Sequence, residues 1–134
     1  MTLIDTNILL DIVTDDPVWA SWSLQQLDGV SLAGPLLIND VIYAELSVRF
    51  ARIEELDGVV QEFGLTMVPM PQAALFLAGK VFQRYRAAGG TRHGVLPDFF
   101  IGAHAATLGL PLLTRDRQRY HTYFPSLQLV TPLC

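Results

Sequence analysis

The sequence predicts an α/β fold: a three-layer arrangement with a central parallel sheet of about five strands and helices on both faces. Short runs of Leu, Ile and Val alternate with longer segments of helical period. Caps and breakers stand where one kind of segment gives way to the other. No linker, low-complexity tract or repeat of solenoid length interrupts that alternation, so residues 1–134 read as one domain.

Thr2–Ile4 is the first predicted strand, and Thr6 or Asn7 can cap a short helix through Asp11 and Ile12. Asp16-Pro17 opens a second helix through WASWSLQQL. Leu36–Ile38 is the second strand. Asn39 or Asp40 caps the next helix, whose apolar stripe is Ile42, Leu46, Phe50 and Ile53. Gly64 precedes a third strand, LTMVPM. Pro71 opens a helix through AALFLAGKVFQRYR that Gly89-Gly90 closes. Pro97 starts the helix DFFIGAHAATL, which Gly109 ends. Pro111–Thr114 and Leu127–Val130 complete the strands.

Hydrophobic residues make up 51% of the chain and the mean hydropathy is +0.35. So apolar a surface favours a partner, and a homodimer is the simplest one. No apolar run reaches the ~18 residues of a membrane span, and the charged first turn argues against a signal peptide. The sole cysteine is Cys134, which fits a reducing cytoplasm. The net charge of -4 speaks against nucleic acid until its distribution is seen. Eleven of thirteen acids lie in residues 1–62, and seven of nine basic residues lie beyond. Within that basic half only Asp98 and Asp116 are acidic.

Those two acids share an oddity with Asp5. Asp5 follows the strand TLI and is flanked by core-type residues, although burying a lone carboxylate is costly. Asp116 follows the strand PLLT. Asp98 heads the helical stripe Ile101, Ala105 and Leu108, and Glu45 sits at the margin of its own stripe. Ligands of open parallel sheets bind beyond the carboxyl ends of the strands, where all four acids are aimed. Clustered carboxylates repel unless a cation sits among them, and oxygen donors select Mg²⁺ or Mn²⁺.

The stretches LIDTNILLDI, INDVIYAEL, LPDFFIGAHAATLGLPLLTRD and YHTYFP carry a family resemblance. In this order and spacing the chain resembles the PIN-domain ribonucleases, more narrowly the VapC-type toxins of toxin–antitoxin pairs. The resemblance implies a five-stranded parallel sheet, a homodimer, and inhibition by a small antitoxin that reaches into the active-site groove. It matches Asp5, Glu45, Asp98 and Asp116 to the family's acidic positions, and Thr6, Asn7 and Thr114 to its site-lining residues. Many relatives carry a further acid–aromatic pair after the last motif; here Arg119-Tyr120 stands in that place.

The expected chemistry is Mg²⁺- or Mn²⁺-dependent hydrolysis of RNA phosphodiesters. Asp5 and Asp98 are the expected direct ligands, with Glu45 and Asp116 acting through the ion's water shell. Arg92, Arg115 and Arg117 are placed to meet substrate phosphates, or serve as solvated surface charge. Tyr120, Tyr123 and Phe124 either stack on bases or close the core. His93, His104 and His121 share no ligand spacing. A phosphoryl-aspartate phosphatase would want an acid at Asn7, and a receiver domain a lysine after a late strand, but the sole lysine, Lys80, is mid-helix. No phosphate-binding glycine loop is present. The alternative reading is a PIN-like module that binds RNA or protein without cutting.

Overall fold

The computed structural model describes residues 1–92 and 94–132; His93, Leu133 and Cys134 lie outside the described residues. Five strands form one sheet: β1 (Thr2–Ile4), β2 (Leu36–Ile38), β3 (Leu65–Met67), β4 (Leu112–Leu113) and β5 (Leu129–Val130). All four pairings are parallel, in the order β3-β2-β1-β4-β5. The chain moves outward from β1 to β3, then crosses back to place β4 on the other side of β1. The order therefore reverses between β1 and β4. At such a switch point the connections diverge and leave a crevice beyond the strand ends.

β1, β2 and β4 are buried at every residue, as central parallel strands covered on both faces must be. Edge strand β3 buries only Leu65. Among the described residues seven helices surround the sheet: α1 (Thr6–Val13), α2 (Ala20–Ser31), α3 (Asp40–Ser47), α4 (Ile53–Glu62), α5 (Gln72–Ala87), α6 (Leu96–Leu108) and α7 (Arg117–Tyr123). None of the described helices is long and apolar enough to cross a membrane.

Several local expectations need correction. Asp5 itself, rather than Thr6 or Asn7, caps α1, with Oδ1 accepting from the Thr6 amide at 2.7 Å. Helix α2 starts at Ala20 because Asp16 Oδ1 accepts from the Val18 and Trp19 amides, both at 2.9 Å, and holds a turn there. The stripe Ile42–Leu46–Phe50–Ile53 does not lie on one helix. Ser47 Oγ donates back to the Ala44 carbonyl at 2.6 Å, and Arg52 is extended, so α3 and α4 are separate. Ile53 is consequently 63% exposed.

Helix α6 is buried nearly all round instead of along one stripe, and Leu108, expected to face the sheet, is exposed. Its middle is Gly102, where an added Cβ would meet the Phe124 ring at 2.5 Å. That close approach, together with edge-on contacts of Phe99 with Tyr123 and Phe124, seats the end of α7 against α6. Gly109 ends α6 in the left-handed conformation at φ 65°, as its place in the sequence predicts. Helix α7 was not foreseen. Asp116 is its N-cap, accepting from the Arg119 amide at 3.2 Å.

Candidate active site

Asp5 stands at the carboxyl end of β1, where its amide donates to the Leu113 carbonyl of β4 at 2.9 Å. The switch point thus places it beside Thr114, whose hydroxyl donates to Asp5 Oδ2 at 2.6 Å. Asn7 Nδ2 reaches the same Oδ2 and Thr114 Oγ1, each at 3.4 Å. Thr114 Oγ1 also accepts from the Asp116 amide at 3.0 Å, so one hydroxyl ties both strand-end acids together. On the other flank the Thr6 hydroxyl donates to Glu45 Oε1 at 2.6 Å. Thr6 and Thr114 thus each donate to a carboxylate, and Asn7 lies between Asp5 and Thr114.

Desolvation dominates the electrostatics. Burial pushes Asp5 up to about 7, and the nearby charge of Asp98 adds to the shift against the opposing bond from Thr114. Burial also raises Glu45, again with a contribution from Asp98. Asp98 is itself raised by burial, and Asp116 adds to this. The acids are thus linked through Asp98. They form an extended string and not a tight ring: among the described residues no three Asp, Glu, His or Cys side chains are close enough to share one ion.

A residue that the sequence showed only as a departure from pattern supplies the missing positive charge. Arg119, on the first turn of α7, donates through Nη1 to Asp98 Oδ2, with Asp116 Oδ2 at 3.5 Å from the same nitrogen. Burial works against its charge, but Asp98 and Asp116 outweigh that and raise its pKa. The next residue, Tyr120, is 1% exposed, and its hydroxyl lies in among Asp5 and Asp98. Burial and the charges of Asp5 and Asp98 drive its pKa well upward, so it is a neutral hydroxyl inside an acidic cluster.

The PIN domain family model matches residues 2–125, nearly the whole chain. This chain belongs to the PIN domain family. No curated protein matches the sequence. Among solved structures, VapBC2 from Rickettsia felis, bound to a promoter DNA fragment, is similar at TM-score 0.73 and 18% identity, covering 98% of both chains. VapBC-1 from nontypeable Haemophilus influenzae gives 0.69 and 16%, covering 97% of this chain and 96% of that one. A toxin–antitoxin complex from Klebsiella pneumoniae gives 0.69 and 23%, covering 99% and 98%. At these identities the likeness is one of fold.

The donors of this PIN domain suit a hard divalent cation in chemistry: carboxylate and hydroxyl oxygens, with burial holding three of the carboxyls against ionisation. The spacing is wider than one ion spans, since among the described residues no three such side chains are close enough to share it, and the Arg119 guanidinium already faces Asp98 and Asp116.

The three arginines named from the sequence are placed differently from one another. Arg115 is turned away from the acids of this PIN domain: Nε and Nη2 donate to Asp11 at 2.7 and 2.9 Å, and the guanidinium lies 4.9 Å from the Trp19 ring centroid. Its amide donates to Asn7 Oδ1 at 3.3 Å. Arg115 thus anchors the loop that carries Asp116 rather than presenting a free fork. Arg92 is exposed and borders a cavity shared with Asp116 and Arg119. Arg117 is exposed at the start of α7. His104 is wholly buried, with Nδ1 3.0 Å from Asn39 Nδ2, and burial lowers its pKa. Through Asn39, which caps α3, it supports the helix bearing Glu45.

Proposed function

We propose that this PIN domain is a metal-dependent endoribonuclease, the toxin of a toxin–antitoxin pair. The observation that supports the reading is the string of Asp5, Glu45, Asp98 and Asp116 along the switch-point edge, linked through the charge of Asp98, with three of the four raised by burial. Asp5 and Asp98 would hold Mg²⁺ or Mn²⁺ directly, with Glu45 and Asp116 in the surrounding shell. When bound, the ion supplies an acidified water and neutralises charge on the phosphate. Thr114 and Thr6 keep the carboxylates oriented through their 2.6 Å bonds. Arg92 and Arg117, exposed on either side of Asp116, meet the phosphates flanking the scissile one.

The antitoxin reading draws on the VapBC structures and on an apolar groove beside Glu45. Val41, Ala44, Val48, Leu96, Pro97 and Phe100 line it, and Val48 is 83% exposed. A small protein lying there would end at the acids. The exposed apolar residues of α5, among them Phe76 at 68%, are a face on which a second copy could pack. The pairing of Arg119 with Asp98 favours one rival, a PIN domain that binds RNA or protein without cutting.

Asp98→Asn separates the two. The nuclease reading expects RNA cleavage in Mn²⁺ to fall by at least about a hundredfold, since Asp98 links the other three acids. Cleavage at the wild-type rate, measured on a labelled RNA, would remove Asp98 from the site.

A further inference from the structure

Arg119 is the only cation paired with any of the four acids among the described residues. It is held at both ends. Its amide donates to Asp116 Oδ1 at 3.2 Å while its guanidinium meets Oδ2 of Asp98 and lies 3.5 Å from Oδ2 of Asp116. The next side chain, Tyr120, is 1% exposed and carries its hydroxyl in among the same acids. The Arg119 side chain is 26% exposed, and the residue borders a cavity of about 380 Å³ shared with Tyr85, Arg92 and Thr122. Rotation about its side-chain bonds can carry the guanidinium from the acids into that space while α7 stays in place.

We propose that Arg119 is a built-in counter-ion that competes with the divalent cation for Asp98 and Asp116, so that the ion binds only when the guanidinium swings out toward Arg92. This rests on the metal-dependent reading above and adds a control to it. In the paired state the acids are neutralised from within the chain. In the open state Arg119 joins Arg92 beside the crevice as a second phosphate contact. A site that is competent only in the open state binds its ligand more weakly in proportion to the open fraction.

The test is Mn²⁺ binding by calorimetry to the full chain, with no cleavage readout. Arg119→Gln is expected to bind Mn²⁺ at least about tenfold more tightly than the wild type. Adding Asp98→Asn to it is expected to cancel the gain. Arg84→Gln, which removes the same charge from the end of α5, is expected to change affinity by less than about twofold. Circular dichroism checks folding. Should the Gln variant fail to fold, Arg119→Lys keeps a cation but loses the planar fork, and a gain of about threefold is expected. Wild-type binding with no gain in these variants overturns the counter-ion while leaving the metal site standing. Absence of Mn²⁺ binding from every variant overturns both.

Discussion

Asp5→Asn is expected to make the metal-free protein more stable at pH 8 while lowering RNA cleavage by at least about a thousandfold. Both effects have one cause. Asp5 is 3% exposed, and burial lifts its pKa from 3.8 to about 7. At pH below about 4 the carboxyl is protonated in folded and unfolded chains alike and does not discriminate between them. As pH rises past 3.8 the unfolded chain releases the proton first, while the folded chain keeps it until about 7. Stability therefore declines between about pH 4 and 7 and levels off above, with a ceiling of about 4 kcal/mol for this group. Glu45 and Asp98, also raised, act in the same direction. Asparagine keeps an oxygen for the Thr6 amide and removes the charge, so the slope flattens. Denaturant unfolding in chelator at pH 5 and pH 8 measures it. A wild type more stable at pH 8 than at pH 5 would contradict the burial argument. The loss of cleavage follows because the amide is a poor ligand for a hard cation. Stability given up at a functional site is what such a buried acid costs.

Asp11→Ala is expected to lower stability by about 2–3 kcal/mol, or roughly 10 °C in Tm. The Asp11 side chain is 4% exposed and satisfies three donors: Ser23 Oγ at 2.7 Å, and Nε and Nη2 of Arg115 at 2.7 and 2.9 Å. Alanine leaves the guanidinium half-buried over Trp19 without its carboxylate, and leaves Ser23 unbonded. An unpaired charge in such a place costs more than the pair contributed. The loss spreads to the site, since Arg115 precedes Asp116 and ties its loop to Asn7 through the bond from its amide. Cleavage is therefore expected to fall further than stability alone explains at a temperature where the variant is folded. Asp11→Asn, which retains one acceptor, is expected to lose about half as much. A shift in Tm under 2 °C for the alanine variant would show that this pair behaves as a solvated surface contact.

These two residues also mark how far the sequence could be read. Asp5 stood out because an acid amid Leu and Ile at a strand end breaks the burial pattern, and the other acids aimed at the same edge gave that break its meaning. A parallel sheet followed from the alternation of strands and helices, but not the strand order that brings Asp5 to Thr114 across β1 and β4. The partnership of Asp11 with Arg115 was not legible, because 104 residues separate them and neither carries a motif. Arg115 was consequently read as a phosphate contact or a solvated surface charge. Helix α7 escaped because RQRYHTY shows no plain apolar period, although its one wholly buried residue, Tyr120, closes the site. The break between α3 and α4 escaped because a serine hydroxyl, not a glycine or proline, ends α3. Arg119 was noticed as a departure from the family pattern. Only the fold shows that its side chain turns back onto Asp98.

The most direct measurement is RNA cleavage by the purified chain in chelator, followed by stepwise addition of Mn²⁺. The account predicts no cleavage in chelator, onset as the ion is added, and abolition when chelator is restored. Cleavage that persists unchanged in excess chelator, or that never begins at millimolar Mn²⁺ with a folded protein, would contradict it.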